Sequence, residues 1–99
     1  MFSFLGGVTL FTKPQIRLRQ EILALLREKK LITFAHDVNW RRELAVMVGE
    51  EWATNSQINK AIGKLVFLGA ITCTHPQVRE PAGITVRVHV LRFLKDVEL

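Results

Sequence analysis

Thr54-Asn55-Ser56-Gln57-Ile58-Asn59-Lys60-Ala61-Ile62-Gly63-Lys64-Leu65-Val66-Phe67-Leu68-Gly69-Ala70-Ile71 reads as a helix that stops at a glycine and turns directly into a strand. Thr54 and Gln57 have capping-box spacing: the threonine hydroxyl accepts from the N–H three residues on, and the glutamine side chain reaches back to the Thr54 N–H. Ile58, Ile62, Leu65 and Val66 recur at helical spacing and form one apolar stripe. The other side carries Ser56, Gln57, Asn59, Lys60, Gly63 and Lys64, with no acid anywhere in the stretch. Solvated surface helices usually mix Glu with Lys for pairing. An acid-free polar face therefore points to an anionic, hydrogen-bonding partner. Gly69 stands where helices end on a left-handed residue.

The chain around this helix is 99 residues long, 48% apolar and carries a formal charge of +5. That is one domain, residues 1–99, with enough apolar material to build a core without staples. The charge favours nucleic acid first and an acidic membrane surface second. One cysteine excludes an internal disulfide and fits a reducing, cytoplasmic setting. No apolar run approaches the roughly 18 residues that span a bilayer, so no membrane role is expected. Met1–Phe11 is hydrophobic but has neither a basic n-region nor a small-residue cleavage site, and is not expected to be a signal peptide.

Upstream, Gly6 and Gly7 argue against a helix over residues 1–11 and suggest a short strand or an apolar arm. That arm packs either on its own domain or on a second copy. Thr12 and Gln15 repeat the capping-box spacing and Pro14 suits a first turn, so a helix is expected over 12–30 with Ile16, Ile22, Leu23, Leu25 and Leu26 inward. Leu31–Phe34 is a short β-rich run and reads as a strand. Asp37 or Asn39 caps a second helix over 38–48, with Trp40, Leu44, Met47 and Val48 on one face and Gly49 as its stop. Trp40 and Trp52 are expected in the core. Downstream of Gly69, residues 70–76 and 84–91 alternate and pair as a hairpin with a tip at 77–83. Matching apolar faces sets Cys73 opposite Val86 and Ile71 opposite Val88, with Val86, Val88 and Val90 inward and His89 outward. Leu91–Leu99 holds too many apolar residues for a loose tail and must pack on helix one or across a dimer.

The order helix, strand, helix, helix, strand, tip, strand resembles the winged helix-turn-helix family of DNA-binding domains. Its most specific part is I-G-K-L-V-F-L-G-A-I, Ile62 to Ile71, which resembles the end of a recognition helix leading into the first wing strand. The resemblance covers roughly Thr12 to Arg92 and implies an α+β fold of three helices plus a small antiparallel sheet. Residues 54–68 would be the recognition helix, with Ser56, Gln57, Asn59, Lys60 and Lys64 as readers in a major groove. Gly63 would leave room for close approach. Arg41 and Arg42 would approach the phosphate backbone at the start of helix two. The tip would be the wing, with Arg79 as its only basic residue. Glu50 and Glu51, just before the recognition helix, would repel phosphate if they face it.

Other chemistries are poorly supplied. Cys73 and His75 share a strand face in the deduced register while His89 points away, leaving two convergent ligands where a closed zinc site needs four. No metal or cofactor is expected. Gly63-Lys64 lacks the first glycine and the Ser/Thr of a P-loop. His36-Asp37 suits a turn and a cap, and no nucleophile–base set or paired-carboxylate pocket is present, so no enzyme is expected. The expectation is a sequence-specific double-stranded DNA-binding protein, a small prokaryotic or viral regulator acting as a homodimer through its apolar termini. The alternative is an interaction module of a larger assembly that does not touch DNA.

Overall fold

The computed structural model describes the backbone from Phe2 to Leu99 and the side chains from Pro14 onward. The order is α1 (Phe2–Lys29), β1 (Leu31–Phe34), α2 (Trp40–Met47), α3 (Asn55–Phe67), β2 (Ile71–Thr74), β3 (Gln77–Arg79), β4 (Thr85–Arg87) and β5 (His89–Phe93). This is an α+β chain of three helices and a small antiparallel sheet. β5 lies in the middle of that sheet, between β1 and β2, while β3 and β4 pair by themselves beyond it.

The core is the meeting of α1, α3 and one sheet face. Leu18, Ile22, Leu23 and Leu26 from α1 pack with Ile58, Ala61, Ile62 and Leu65 from α3, and Phe34, Ile71 and Leu91 close the layer from the sheet. Trp40, Leu44 and Ala45 of α2 complete it. Among the expected core positions, Val66 is 42%, Met47 44% and Trp52 46% exposed. Val66 follows a buried leucine in a helix whose inward stripe is completed by Ala61 instead, and α2 turns Ala45 rather than Met47 inward.

The first helix departs from the expected 12–30. It begins at Phe2, so Thr12 does not cap it and Pro14 lies within it. The proline forgoes one ladder hydrogen bond, and each glycine costs about 1 kcal/mol against alanine. Extending an existing helix avoids the far costlier step of nucleating one, so the local penalties do not stop it. How the apolar side chains of residues 1–11 pack lies outside the described residues.

α3 ends as its sequence implies. The Gly69 N–H bonds Val66 O at 2.9 Å and the Ala70 N–H bonds Leu65 O at 2.9 Å, the double closure of a Schellman motif. Gly69 holds φ +75°, where a side chain is strained. The chain therefore reverses within two residues and enters β2 at Ile71.

The hairpin register differs from the expected one. Ile71 pairs with Phe93 and Cys73 with Leu91, not with Val88 and Val86. Gln77 pairs with Arg87 and Val78 with Val86, which continues the same register outward without an inserted residue. The shift is five residues, and an odd shift turns every side chain to the other face. Inward positions at the base are thus His89, Leu91 and Phe93, and Val90 points out with Thr72 and Thr74. The interruption between the two pairs of strands falls at Pro76. Val88 N–H donates to Pro76 O at 3.1 Å, and proline has no N–H to return the bond. The tip is also shorter than 77–83. Gly83 N–H bonds Glu80 O at 2.8 Å and Glu80 N–H bonds Ile84 O at 2.8 Å. Pro81 pre-sets the second turn position and Gly83 takes φ +87°, the chemistry of a three-residue hairpin loop.

The C-terminal segment packs on its own domain. Leu91 is fully buried, and Phe93, Val97 and Leu99 lie against the core. Leu94 N–H bonds Ala70 O at 2.8 Å, and Arg27 Nε donates to Asp96 at 2.6 Å. Only Leu94, 49% exposed, is left as an apolar surface on this tail.

Candidate nucleic-acid interface

α3 presents the polar face that its sequence implies. Ser56, Asn59, Lys60, Gly63 and Lys64 are exposed, Gln57 is half-buried, and no acidic residue lies between Asn55 and Phe67. The capping box is complete: Thr54 Oγ1 accepts from the Gln57 N–H at 3.2 Å, and the Thr54 N–H donates to Gln57 Oε1 at 2.7 Å. Gln57 is therefore already engaged in holding the helix start, and its amide oxygen is not available to read a base in this arrangement. Asn59 Oδ1 accepts from Arg41 Nε. Ser56, Lys60 and Lys64 are the outward side chains with neither commitment among the hydrogen bonds of the described residues.

The two arginines of α2 have different surroundings. Asn39 caps the helix, its Oδ1 accepting from the Arg42 N–H at 3.3 Å. The Arg42 guanidinium bonds Glu51 O at 3.0 Å and Ala53 O at 2.7 Å, so it staples the connection between α2 and α3. That position makes it a structural residue first. Arg41 lies 4.7 Å over the Trp40 ring and reaches Asn59, bridging α2 to the outer face of α3. Residues 41 and 59, widely separated in sequence, are brought together on one surface.

The glutamates before α3 do not act as a pair. Glu50 is 3% exposed and turned inward. Its Oε2 accepts from Arg17 Nε at 3.1 Å and its Oε1 accepts from the Trp52 indole N–H. The charge that was expected to oppose phosphate is neutralised by a cation on α1, and only Glu51 stays exposed. Trp52, expected in the core, is 46% exposed and serves as a donor to that carboxylate. Trp40 is buried at 4%.

The distal hairpin has two unlike faces. Strand alternation puts Gln77, Arg79, Thr85 and Arg87 on one side, and Val78, Ile84 and Val86 on the other. All four polar residues are exposed. Arg79 is not the only cation here, because the corrected register brings Arg87 beside it as a diagonal neighbour, about 7–8 Å away by strand geometry. Glu80 falls on the apolar side, away from both arginines.

At the root of this hairpin His75 faces His89, their ring centroids 4.5 Å apart and edge-to-face. His89 stacks on Trp40 at 5.4 Å. The expectation that His89 points away from His75 is thereby overturned, for the same odd-shift reason. Burial, then His75, then Arg41 hold the His89 imidazole below its ordinary pKa. Burial pushes the Cys73 thiol up, with Arg41 opposing. Among the described residues no three His, Cys, Asp or Glu side chains could hold a metal ion. Among the described residues no helix is long and apolar enough to cross a membrane.

Three contributors escaped the sequence reading. Arg87 could have been found from the turn signal Glu80-Pro81-Ala82-Gly83, which sets the register. Phe67, 82% exposed, shares the outer side of α3 with Lys64, whose Nζ lies 5.6 Å from its ring centroid. The Arg17–Glu50 pair joins residues that no local pattern connects. A groove between α1 and α2, lined by Glu21, Ala24, Leu25, Glu28, Met47 and Val48, shares none of these residues. Comparison with protein-family models, curated proteins and solved structures finds no match for this chain.

Proposed function

We propose that this chain is a sequence-specific double-stranded DNA-binding protein of winged helix-turn-helix type. α3 is its recognition helix and the β3–β4 hairpin its wing. The observation that carries the reading is the acid-free polar face of α3, where Ser56, Lys60 and Lys64 are exposed and Arg41 is joined to the helix through Asn59. The hairpin carries Arg79 and Arg87 together on one of its sides. A groove-bound helix with flanking backbone contacts needs that combination of hydrogen-bonding and positive groups. The burial of Glu50 removes the main electrostatic objection. Phe67 adds an apolar group suited to a thymine methyl.

The protein then acts as a small transcriptional regulator and a homodimer, and its site is a palindrome with half-sites about one helical turn apart. Support for the dimer comes from the apolar sequence of residues 1–11, since the 91–99 tail packs on its own core.

The test is fluorescence anisotropy against random and selected duplexes across a salt series. Each phosphate contact adds about 0.9 to the log–log salt slope. Lys60→Ala with Lys64→Ala lowers affinity and flattens that slope by roughly 1–2. Binding no stronger than that of a neutral control protein refutes the proposal. A second reading, an interaction module without DNA contact, is favoured by the exposed Phe67 beside exposed Val66. It wins if Phe67→Ala abolishes capture of a defined partner while the two lysine changes leave DNA affinity unaltered.

A further inference from the structure

We propose that Arg41, His75 and His89 form a subsite for one phosphate of a DNA backbone, at the root of the hairpin, and that this phosphate binds together with protons. The inference rests on the DNA-binding reading above and adds to it a contact that the helix and the wing do not supply.

The geometry comes from the hairpin register. The bonds Val88 N–H to Pro76 O and Glu80 N–H to Ile84 O lie four residues apart along the ladder. They make His75 and His89 a non-hydrogen-bonded pair, the kind whose side chains stand closest. The two rings meet edge to face, 4.5 Å between centroids. Trp40 then stacks on His89, and the Arg41 guanidinium covers the Trp40 ring at 4.7 Å. Three groups able to carry positive charge are thus strung around Trp40 where the hairpin leaves the body of the protein. His75 is exposed and Arg41 and His89 are half-buried, so a ligand can approach.

Among the described residues, no acidic side chain is paired with these groups. β1 supplies Phe34 opposite His89, α2 supplies Trp40 and Arg41, and β2 with its extension supplies Cys73 and His75. α3 reaches the cluster through Asn59, which is neutral. None is acidic. His89 Nδ1 and Trp40 Nε1 are both buried without a hydrogen-bond partner. Burial, then His75 and Arg41, lower the His89 pKa from its ordinary value, so the empty site disfavours the His89 imidazolium. An anion placed beside these groups adds an attraction that opposes these effects: it favours the imidazolium form, and the imidazolium favours it. Arg41 supplies a permanent charge, and the capped start of α2 adds its dipole. A phosphate suits this set, because it accepts from a guanidinium and from imidazolium N–H groups at once.

The consequence is linkage. Each proton taken up on binding raises affinity about tenfold per pH unit across the imidazole range. The test combines anisotropy with a 20-base-pair duplex between pH 8 and pH 5.5, a generic length chosen to span two turns at about 10 base pairs each, and NMR titration of the imidazole resonances. Inorganic phosphate and the duplex are the two probes. Wild-type affinity climbs as pH falls, and His75→Gln, an exposed position, flattens the climb. His89→Phe keeps a ring against Trp40 and flattens it too. Lys60→Ala lowers affinity equally at every pH. The duplex moves the His75 and His89 titrations to higher pH.

A pH slope that is the same in wild type, His75→Gln and His89→Phe defeats this inference and leaves DNA binding standing. No duplex binding at any pH defeats the DNA-binding reading itself. Inorganic phosphate moving the imidazole titrations while the duplex leaves them unchanged overturns the assignment of the ligand to a DNA backbone.

Discussion

Replacing Leu91 by alanine tests the strand register on which the positions of Arg87 and His89 depend. Leu91 is fully buried at the centre of the sheet, flanked in register by Ile32 on β1 and Cys73 on β2. Leucine-to-alanine at a site that cannot collapse costs about 2–5 kcal/mol. Val86 is the counterpart: it is only half-buried, pairs with an exposed Val78, and would enter the core only if Cys73 lay opposite it. Its truncation removes two methyl groups that are partly in water, at about 0.8 kcal/mol each when fully buried, so Val86→Ala costs about 1 kcal/mol or less. For a domain of this size 1 kcal/mol moves Tm by about 4–8 °C. Leu91→Ala is therefore expected to melt roughly 8–40 °C below wild type, and Val86→Ala within about 8 °C of it. Urea titrations followed by far-UV circular dichroism at 10 °C, with thermal melts beside them, give both values. Equal losses, or a larger loss for Val86→Ala, refute the register.

Two further predictions concern the groups around the interface. Arg17→Ala leaves a carboxylate that is 3% exposed with only an indole N–H for company, and costs about 2 kcal/mol. That is below the figure for a fully buried pair because Arg17 itself is mostly exposed. Glu50→Ala strands only exposed donors and costs about 1 kcal/mol, so urea midpoints should rank Arg17→Ala as the less stable; the opposite ranking rejects the ion pair as described. His89→Phe should flatten the acid loss of stability. The folded protein holds this imidazole below its ordinary pKa through burial, His75 and Arg41, so the unfolded chain binds the proton first. Stability from neutral His89 is present above about pH 6.5 and is lost as pH falls below it. Urea midpoints between pH 7.5 and pH 5 should therefore fall less steeply for the variant, and parallel curves reject the assignment.

What could be read from the sequence was what adjacent residues encode. Thr54 and Gln57 close a capping box across one turn, and Gly69 ends the helix by its own backbone freedom, so α3 and its polar face were legible. β1 was legible because four β-forming residues leave no room for a helix. The hairpin was not, although its turn signal was present. Residues 84–90 alternate regardless of which parity faces the core, and the choice is made by β1, distant in sequence, which pairs with β5 and draws Leu91 inward. The commitments of Arg42 and Glu50 were hidden for a related reason. Each is decided by a partner that the fold alone brings near: the carbonyls of Glu51 and Ala53 for Arg42, and Arg17 for Glu50. At the N-terminus the error ran the other way: Gly6 and Gly7 argue against a helix and Pro14 suits a first turn, but the local penalties are small beside the cost of starting a helix anew.

One choice of parity accounts for both the stability and the chemistry of the hairpin. With Leu91 inward, every second residue outward along the same strand shares its side: His89 next, then Arg87, then Thr85. The partner strand adds Cys73, His75, Gln77 and Arg79. The face that is apolar where it covers the core therefore becomes cationic once it passes the edge of the helices. Shifting the register by an odd number would put Val86, Val88 and Val90 there in place of Arg87 and His89, parting Arg87 from Arg79 and His89 from His75. Burial of a leucine in the sheet and presentation of arginines at the hairpin are thus coupled, and selection for a stable sheet also holds the charges in place. If the proposed DNA-binding reading holds, substitutions which merely loosen the β5 pairing, without touching a basic residue, weaken duplex affinity as well as the fold.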